Sequence, residues 1–474
     1  MGERIVIDPV TRIEGHAKIT IQLDDAGEVV DARLHVSELR GFERFCEGRS
    51  FRELPVLTAR ICGICPVSHL LASAKAGDAL LAVEVPEAAR LLREALNLAQ
   101  LVQSHALSFF LLSGPDLLLG MDAPPATRNL AGLLAALPEV ARDGLRLRAF
   151  GQDTIAVLAG QRIHPSWAVP GGVARPLERA GRDHILGGLP EALAIARRTL
   201  ADWKRREPEH ADEIRAFGEL PTLFLGTVAE DGTAAYTDGR LRFVDETGAI
   251  VADGIAPAEW RAWIGEAVDR ASYLKAPYFK PRGPSQGVYR VGPLARLNVA
   301  SRLGTPLADA ELAEFRGLAH GPVRSTFHAH RARLIEIVHA LERLPVVLED
   351  PRILSTEVLA GAACNRRRGV GSVEAPRGTI FHDYEVDRDG VVTRVDLLIA
   401  TGQNALAMNA AVAQIARRFV SGRRLGDGAL NRVEAGIRAF DPCLSCATHA
   451  VGRSPFRLEL RGPGGELLDA QPVD

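Results

Sequence analysis

Arg60-Ile61-Cys62-Gly63-Ile64-Cys65-Pro66 stands near the start of the chain, and Asp441-Pro442-Cys443-Leu444-Ser445-Cys446-Ala447-Thr448-His449 near its end. Four of the six cysteines in 474 residues thus fall in two C-x-x-C pairs at opposite ends of the sequence. Thiolates select soft metals, and four of them drawn from distant segments form a pocket that only the folded chain can assemble. A structural zinc site brings its two pairs within about 20 residues to organise a small subdomain. The separation here is far too long for that. Both pairs read as helix N-termini: Pro66 suits a first helical position ahead of Leu70, Leu71 and Ala74, and Asp441-Pro442 reads as an N-cap followed by a proline in the first turn. Such a terminus favours negative charge and keeps a thiol deprotonated. The i, i+3 spacing of Cys443 and Cys446 puts both sulfurs on one side of a turn, and His449 continues that face; a surface histidine is the plain alternative.

The rest of the composition narrows the class. A balance of 57 basic against 59 acidic residues leaves a formal charge of −2, which points to neither a nucleic-acid nor an acidic-lipid partner. Six cysteines in so long a chain make no disulfide framework, and their pairing suggests metal or redox chemistry in a reducing compartment. The N-terminus lacks the basic region and apolar run of a secretion signal. The richest apolar stretch, Ala106 to Met121, is broken by Gly114, Pro115 and Asp116, so no membrane span is expected. A cytoplasmic protein is the expectation, although folded export on a partner's signal would leave the same sequence.

Between the two dithiols the pattern is mainly helical. Residues from Pro86 to Leu112, Pro125 to Leu158, Pro190 to Arg206 and Pro322 to Leu344 carry apolar side chains at helical spacing, which implies a bundle core. Arg4 to Val36 alternates around the turn Asp24-Asp25-Ala26-Gly27 and reads as a β-hairpin. Tyr384 to Ile399, around Asp387-Arg388-Asp389-Gly390, is a second such segment, expected to pair with the first in one small sheet. The stretch of about 217–293 is richer in Gly, Pro, Tyr and Trp and reads as a peripheral α+β insertion. The fold class is mainly α with small β-sheets, built on a long-helix bundle.

Six segments in this order resemble one family, the large subunit of nickel–iron hydrogenases, over nearly the whole chain. They are Ile7 to His16, Arg40-Gly41-Phe42-Glu43, Arg60 to His69, Ser104 to Leu107 with Pro115-Asp116, Glu374 to Gly378, and Asp441 to His449. The likeness is greatest to the cytoplasmic, NAD-linked bidirectional type. It implies a hydrogenase large-subunit fold over 1–449 and reversible, heterolytic cleavage of dihydrogen. Nickel would be held by Cys62, Cys65, Cys443 and Cys446, with Cys65 and Cys446 also bridging to an iron that carries carbon monoxide and cyanide. Cys443 would be the first proton acceptor and Glu14 the carboxylate that takes the proton on, unless Glu14 merely pairs with Arg12. Arg377 would sit above the metals, oriented by Asp116 and Asp441, while Pro376 walls the diatomic ligands. Glu43 and His449 would bind magnesium or a similar hard cation.

The same resemblance makes 450–474 a propeptide, removed by a dedicated endopeptidase after nickel-insertion proteins have done their work; a terminal surface strand is the alternative. Cys46 and Cys364, read as buried thiols, are too few for an iron–sulfur cluster, and no G-x-G-x-x-G follows a predicted strand to bind NAD. Electrons would therefore need two partners, an iron–sulfur small subunit followed by a flavin- and NAD-binding diaphorase. Three other readings stand beside this one. They are a quinone-module scaffold of respiratory complex I, whose lineage lost these cysteines, a zinc-stabilised interaction protein, and a hydrogenase with a different acceptor such as a deazaflavin or NADP.

Overall fold

Glu87–Ala106, Pro138–Ala159, Arg179–Arg206 and Ala329–Leu348 pack side by side as a four-helix core in the computed structural model, which describes residues 4–269, 272–420, 427–448, 457–461 and 467–472. The first of these helices is the hub. Its Leu92, Ala95, Leu96, Ala99 and Val102 are all inaccessible to solvent, whereas Pro138–Ala159 buries one stripe through Leu147, Ile155 and Leu158 and exposes arginines opposite. Each large apolar side chain so buried contributes about 1.5–3 kcal/mol.

The helices differ from their expected limits for identifiable reasons. The segment expected over 125–158 breaks at Leu137, because Pro138 has no N–H to donate and instead starts the second helix at its first position. Arg179–Arg206 begins upstream of Pro190, which lies inside it. The stretch from Ala106 onward is not interrupted: a π-helical turn over Leu107–Ser113 leads directly into Gly114–Leu119, and Pro115 falls in the first turn of that piece. Glu87–Leu119 is in consequence long and apolar enough, by length and composition, to cross a membrane, but 89% of its most apolar window is buried inside the protein. It is a core helix.

The two predicted hairpins are present, each enlarged to three antiparallel strands, and they remain separate sheets. Arg4–Ile7, Lys18–Leu23 and Val29–His35 form one, with Ile19, Ile21 and Leu23 turned inward. Arg368–Ala375, Gly378–Val386 and Val392–Leu398 form the other, with the Asp387–Gly390 turn where expected. The outer edge of Val392–Leu398 is unavailable for the first sheet, since Glu43 Oε1 accepts from Leu397 N at 2.8 Å and the Phe42–Cys46 helix packs there. Residues 217–293 contain a four-stranded sheet and the Ile264–Val268/Lys275–Phe279 hairpin. Tyr236 joins this segment to the bundle by donating to Glu336 at 3.0 Å.

One contact sets the geometry of the functional region. Arg368–Ala375 lies directly on the Pro66–Leu81 helix, and a Cβ on Gly371 would stand 1.9 Å from the Ala72 carbonyl oxygen. Only glycine permits that approach. The strand that leads to Arg377 is thereby seated on the helix that begins at Cys65.

Candidate metal centre

Cys62 follows a short 3₁₀ turn in extended conformation, and Cys65 is the N-cap of Pro66–Leu81 with Pro66 at the first position, as the sequence predicts. The C-terminal pair is built differently. Asp441 is not an N-cap but a left-handed residue, φ 56°, and Cys443 itself caps a single turn, Leu444–Ala447. One turn has little dipole, so Cys443 is placed by direct contacts instead: its N–H donates to Thr401 Oγ1 at 2.9 Å, and its backbone bridges to Glu14. Gly15, with φ +84°, lets the chain pass there, since a Cβ would lie 2.7 Å from Leu444 Cβ.

All four sulfurs are buried and lie within 4.8 Å of one another. Cys62 and Cys443 are 3.1 Å apart, Cys65 and Cys446 3.4 Å, Cys443 and Cys446 2.9 Å. With metal–sulfur bonds of about 2.3 Å, sulfurs sharing one ion stand roughly 3–4 Å apart, so the donor set fits a metal. The charges agree. Hydrogen bonds from its neighbours Cys443, Cys446 and Cys65, helped by Arg377, hold the Cys62 thiol well below its ordinary value. Burial first, then the other thiols, pushes Cys443 well above it, and burial does the same to Cys446. Without a cation the cluster keeps protons; bound metal makes it four thiolates. A small apolar cavity opens beside Cys65 and Cys446, walled by Pro376, Arg377 and Thr401.

Arg377 crosses above this cavity. Its Nε donates to the Asp441 carbonyl at 2.6 Å, its Nη2 to Asp441 Oδ1 at 2.9 Å, and its Nη1 to Ser104 Oγ at 3.4 Å. Burial would lower its pKa, but the Asp441 carboxylate first, then negative charge on the cysteine sulfurs beside it, outweighs that and raises it further. Asp441 Oδ2 is buried with no hydrogen-bond partner among the described residues. Asp116, expected to orient Arg377, lies elsewhere in the structure. Among the described residues its carboxylate binds Arg438, Arg12 and Asn431 and makes no contact with Arg377, since the wide turn at Leu107–Ser113 precedes it and it faces the Asp427–Phe440 helix. That arrangement also takes Arg12 away from Glu14.

Glu14 Oε2 accepts from Cys443 Sγ at 3.0 Å and from Ser445 N at 3.1 Å. Glu43 binds the Leu397 N–H and stands 3.8 Å from Lys275 Nζ. His449 lies outside the described residues. Cys46 is buried and its thiol is pushed up to about 12, chiefly by burial. Cys364, expected to be buried, is half-exposed and donates to the Arg366 carbonyl at 3.3 Å. Two residues escaped the sequence reading. Thr401 gives no local signal. His69, whose Nε2 lies 3.3 Å from Cys446 Sγ, follows Cys65 by one helical turn, and that spacing marks it.

Residues 40–139 and 227–449 match the family described as nickel-dependent hydrogenase, and residues 4–39 one described as HoxL-like. Four buried thiols converging under an arginine on this helical core define the catalytic large subunit of a nickel–iron hydrogenase, and the chain belongs to that family. It is 41% identical to the NAD-reducing hydrogenase HoxS subunit beta of Cupriavidus necator, over 99% of each chain. It is also 41% identical to a chain of the F420-non-reducing hydrogenase vhu of Methanococcus voltae, over 87% of this chain and 98% of that one. Among solved structures, an NAD+-reducing [NiFe]-hydrogenase in the H2-reduced state superposes with a TM-score of 0.92 at 45% identity, covering 94% of this chain and 99% of the other. The Ni-Fe-Se hydrogenase of D. vulgaris Hildenborough shares the fold, with a TM-score of 0.76 at 24% identity over 95% of this chain and all of that one.

Proposed function

We propose that this protein cleaves dihydrogen reversibly and heterolytically in the cytoplasm and passes the electrons to NAD(H) through two partners, an iron–sulfur small subunit followed by a flavin-bearing diaphorase. The likeness to the NAD-reducing relative along 99% of the chain supports that acceptor. Cys62 and Cys443 would hold nickel alone, and Cys65 and Cys446 both nickel and an iron with carbon monoxide and cyanide ligands. Such a centre supplies Lewis acidity and the electron-accepting orbitals that dihydrogen needs. The chain's own residues do the rest. Cys443 Sγ takes the proton and Glu14 Oε2, 3.0 Å away, receives it, steadied by the Ser445 N–H. Arg377, locked by Asp441, keeps a fixed positive charge beside the thiolates, and Pro376 with Thr401 keeps water from the cavity.

The Glu14–Cys443 contact carries this reading, because it puts a carboxylate oxygen within hydrogen-bond distance of a buried sulfur of the metal cluster. Glu43 and His449 would hold a magnesium ion; Thr448, just before His449, is tied by its carbonyl to the N–H groups of Arg40 and Gly41, close to Glu43. Residues 450–474 would be removed once nickel is in place. Co-purification with the partner subunits, together with an assay of hydrogen-dependent NAD+ reduction, tests the proposal. Dye reduction without NAD+ reduction in an intact, flavin-loaded complex would transfer the acceptor to another class.

A further inference from the structure

Asp441 grips the guanidinium of Arg377, but a second arginine holds the backbone beside it. Pro376 and Arg377 form the two-residue turn between Arg368–Ala375 and Gly378–Val386, where Ala375 is paired with Gly378. Behind that turn Arg296 uses all five of its N–H donors. Nε and Nη2 donate to the two oxygens of Glu336 at 2.6 and 2.7 Å, and Nη1 donates to Glu374 Oε2 at 2.8 Å. The two hydrogens left go to the turn, from Nη1 to the Ala375 carbonyl at 2.9 Å and from Nη2 to the Pro376 carbonyl at 3.2 Å. Gly292, one helical turn before Arg296, lies against the same turn, and a Cβ there would stand 2.8 Å from the Arg377 carbonyl oxygen. Arg296, Glu336 and Glu374 are all buried, and the carboxylates are held in their turn. Glu336 Oε2 stands 2.8 Å from His105 Nε2, and Glu336 Oε1 accepts from the Tyr236 hydroxyl at 3.0 Å. Glu374 Oε1 accepts from the Thr379 and Thr227 hydroxyls at 2.6 and 2.8 Å. His105 and Glu374, which the chemistry of the sulfurs leaves unused, thus meet in one network.

We propose that Arg296, fixed by Glu336 and Glu374, is a positioning residue that sets where Pro376 and Arg377 stand beside the metals. The proposal rests on the nickel–iron reading of the site. The donor count carries it. If the arginine served only to balance the two carboxylates, three of its hydrogens would suffice, yet the other two are aimed at consecutive carbonyls of the turn. A buried ion network gains little net stability once its desolvation is counted, so what this one supplies is geometry. The guanidinium keeps its charge throughout: burial would lower its pKa, but Glu336 first and then Glu374 raise it instead. Lysine could keep that charge but not the planar fork, because an ammonium has three donors where five acceptors wait. The turn would then be free to shift, and with it both the ring of Pro376 that walls the cavity and the backbone from which Arg377 reaches Asp441.

The test uses mature enzyme with its partner subunits: wild type, Arg296→Lys, Glu374→Gln, Arg377→Lys, and the double variant Arg296→Lys with Arg377→Lys. Each is assayed for nickel and iron, for turnover against hydrogen concentration, and by infrared spectroscopy of the carbon monoxide and cyanide bands of the iron. We expect wild-type metal content in Arg296→Lys and in Glu374→Gln. The bands should move in both, further in Arg296→Lys, whose kcat should fall about 10-fold with KM for hydrogen unchanged. Because Arg296 acts through the turn that bears Arg377, adding Arg296→Lys to Arg377→Lys should cost only about twofold more. If Arg296→Lys binds no nickel, the bands of Glu374→Gln decide, and loss of nickel from both would assign the network to assembly and overturn the proposal. Unmoved bands in a nickel-loaded variant, or a further loss in the double variant as large as in wild type, would overturn it while leaving the metal centre intact. Wild-type enzyme that is active yet free of nickel and of those bands would overturn the nickel–iron reading and this inference with it.

Discussion

Glu14 Oε2 and Cys443 Sγ are 3.0 Å apart although 429 positions separate the two residues. The Ser445 N–H binds the same oxygen, so the carboxylate is aimed at the sulfur and not at the neighbouring Arg12, which turns to Asp116. A group so held keeps its geometry when only its acidity is removed. We therefore expect Glu14→Gln to retain nickel and iron but to lose about 10²- to 10⁴-fold in hydrogen turnover and in proton–deuterium exchange. Wild-type exchange in a metallated Glu14→Gln protein would take Glu14 off the proton route.

Removing a thiolate should act earlier, on assembly. Cys65→Ala leaves three sulfurs and one open side of the pocket, so nickel in the purified protein should fall below detection. Full nickel occupancy in that variant would end the four-ligand assignment.

Arg377→Lys keeps the charge but not the fork that grips both the carbonyl and the carboxylate of Asp441. Loss of such a supporting contact costs about 10- to 100-fold in activity. Turnover equal to wild type would reduce Arg377 to filling space.

Gly371→Ala tests the contact on which the site is seated. The new methyl would meet the Ala72 carbonyl at 1.9 Å, and the strand must lift from the Pro66–Leu81 helix. Overpacking of this kind costs about 1–3 kcal/mol or more, read as a lowered denaturation midpoint, and nickel occupancy should fall with it. A midpoint and nickel content equal to wild type would mean that the strand is not held this tightly.

Acid should destabilise the fold through histidines buried without charge. Burial lowers His105, His330 and His339, the last from 6.5 to about 4. Above pH 6.5 neither the folded nor the unfolded chain protonates them, and their contribution is complete. As pH falls from 6.5 toward 4 the unfolded chain takes up the proton first, and His339 alone withdraws on the order of 3 kcal/mol. Urea midpoints measured across that window should drop more steeply in wild type than in His339→Asn; parallel slopes would discard the assignment.

The two dithiols were readable because ligand chemistry writes itself into spacing, whereas Glu14, Pro376 and Arg377 were readable only through the family resemblance. The two C-x-x-C pairs, Arg377 beside Pro376, and Glu14 in its motif all lie at the centre. What spacing could not convey is how a wide helical turn redirects a side chain. Asp116 sits in the right motif but, after the π turn at Leu107–Ser113, faces Arg438. The bundle was legible from its apolar stripes, while helix ends such as Leu137 were fixed by a proline whose effect depends on register. Thr401 was not legible as a site residue, because its contact with the Cys443 N–H exists only once the two distant segments are folded together.

The 381 positions between Cys62 and Cys443 also carry a consequence for synthesis. At about 5–20 residues per second a ribosome needs roughly 20–75 s to deliver the second dithiol after the first has emerged. A zinc knuckle closes on itself while still being translated. Here two reactive thiols must wait, reduced and unliganded, until almost the entire polypeptide has been made, so the nascent chain needs protection from stray metals and oxidants that a local metal site never requires.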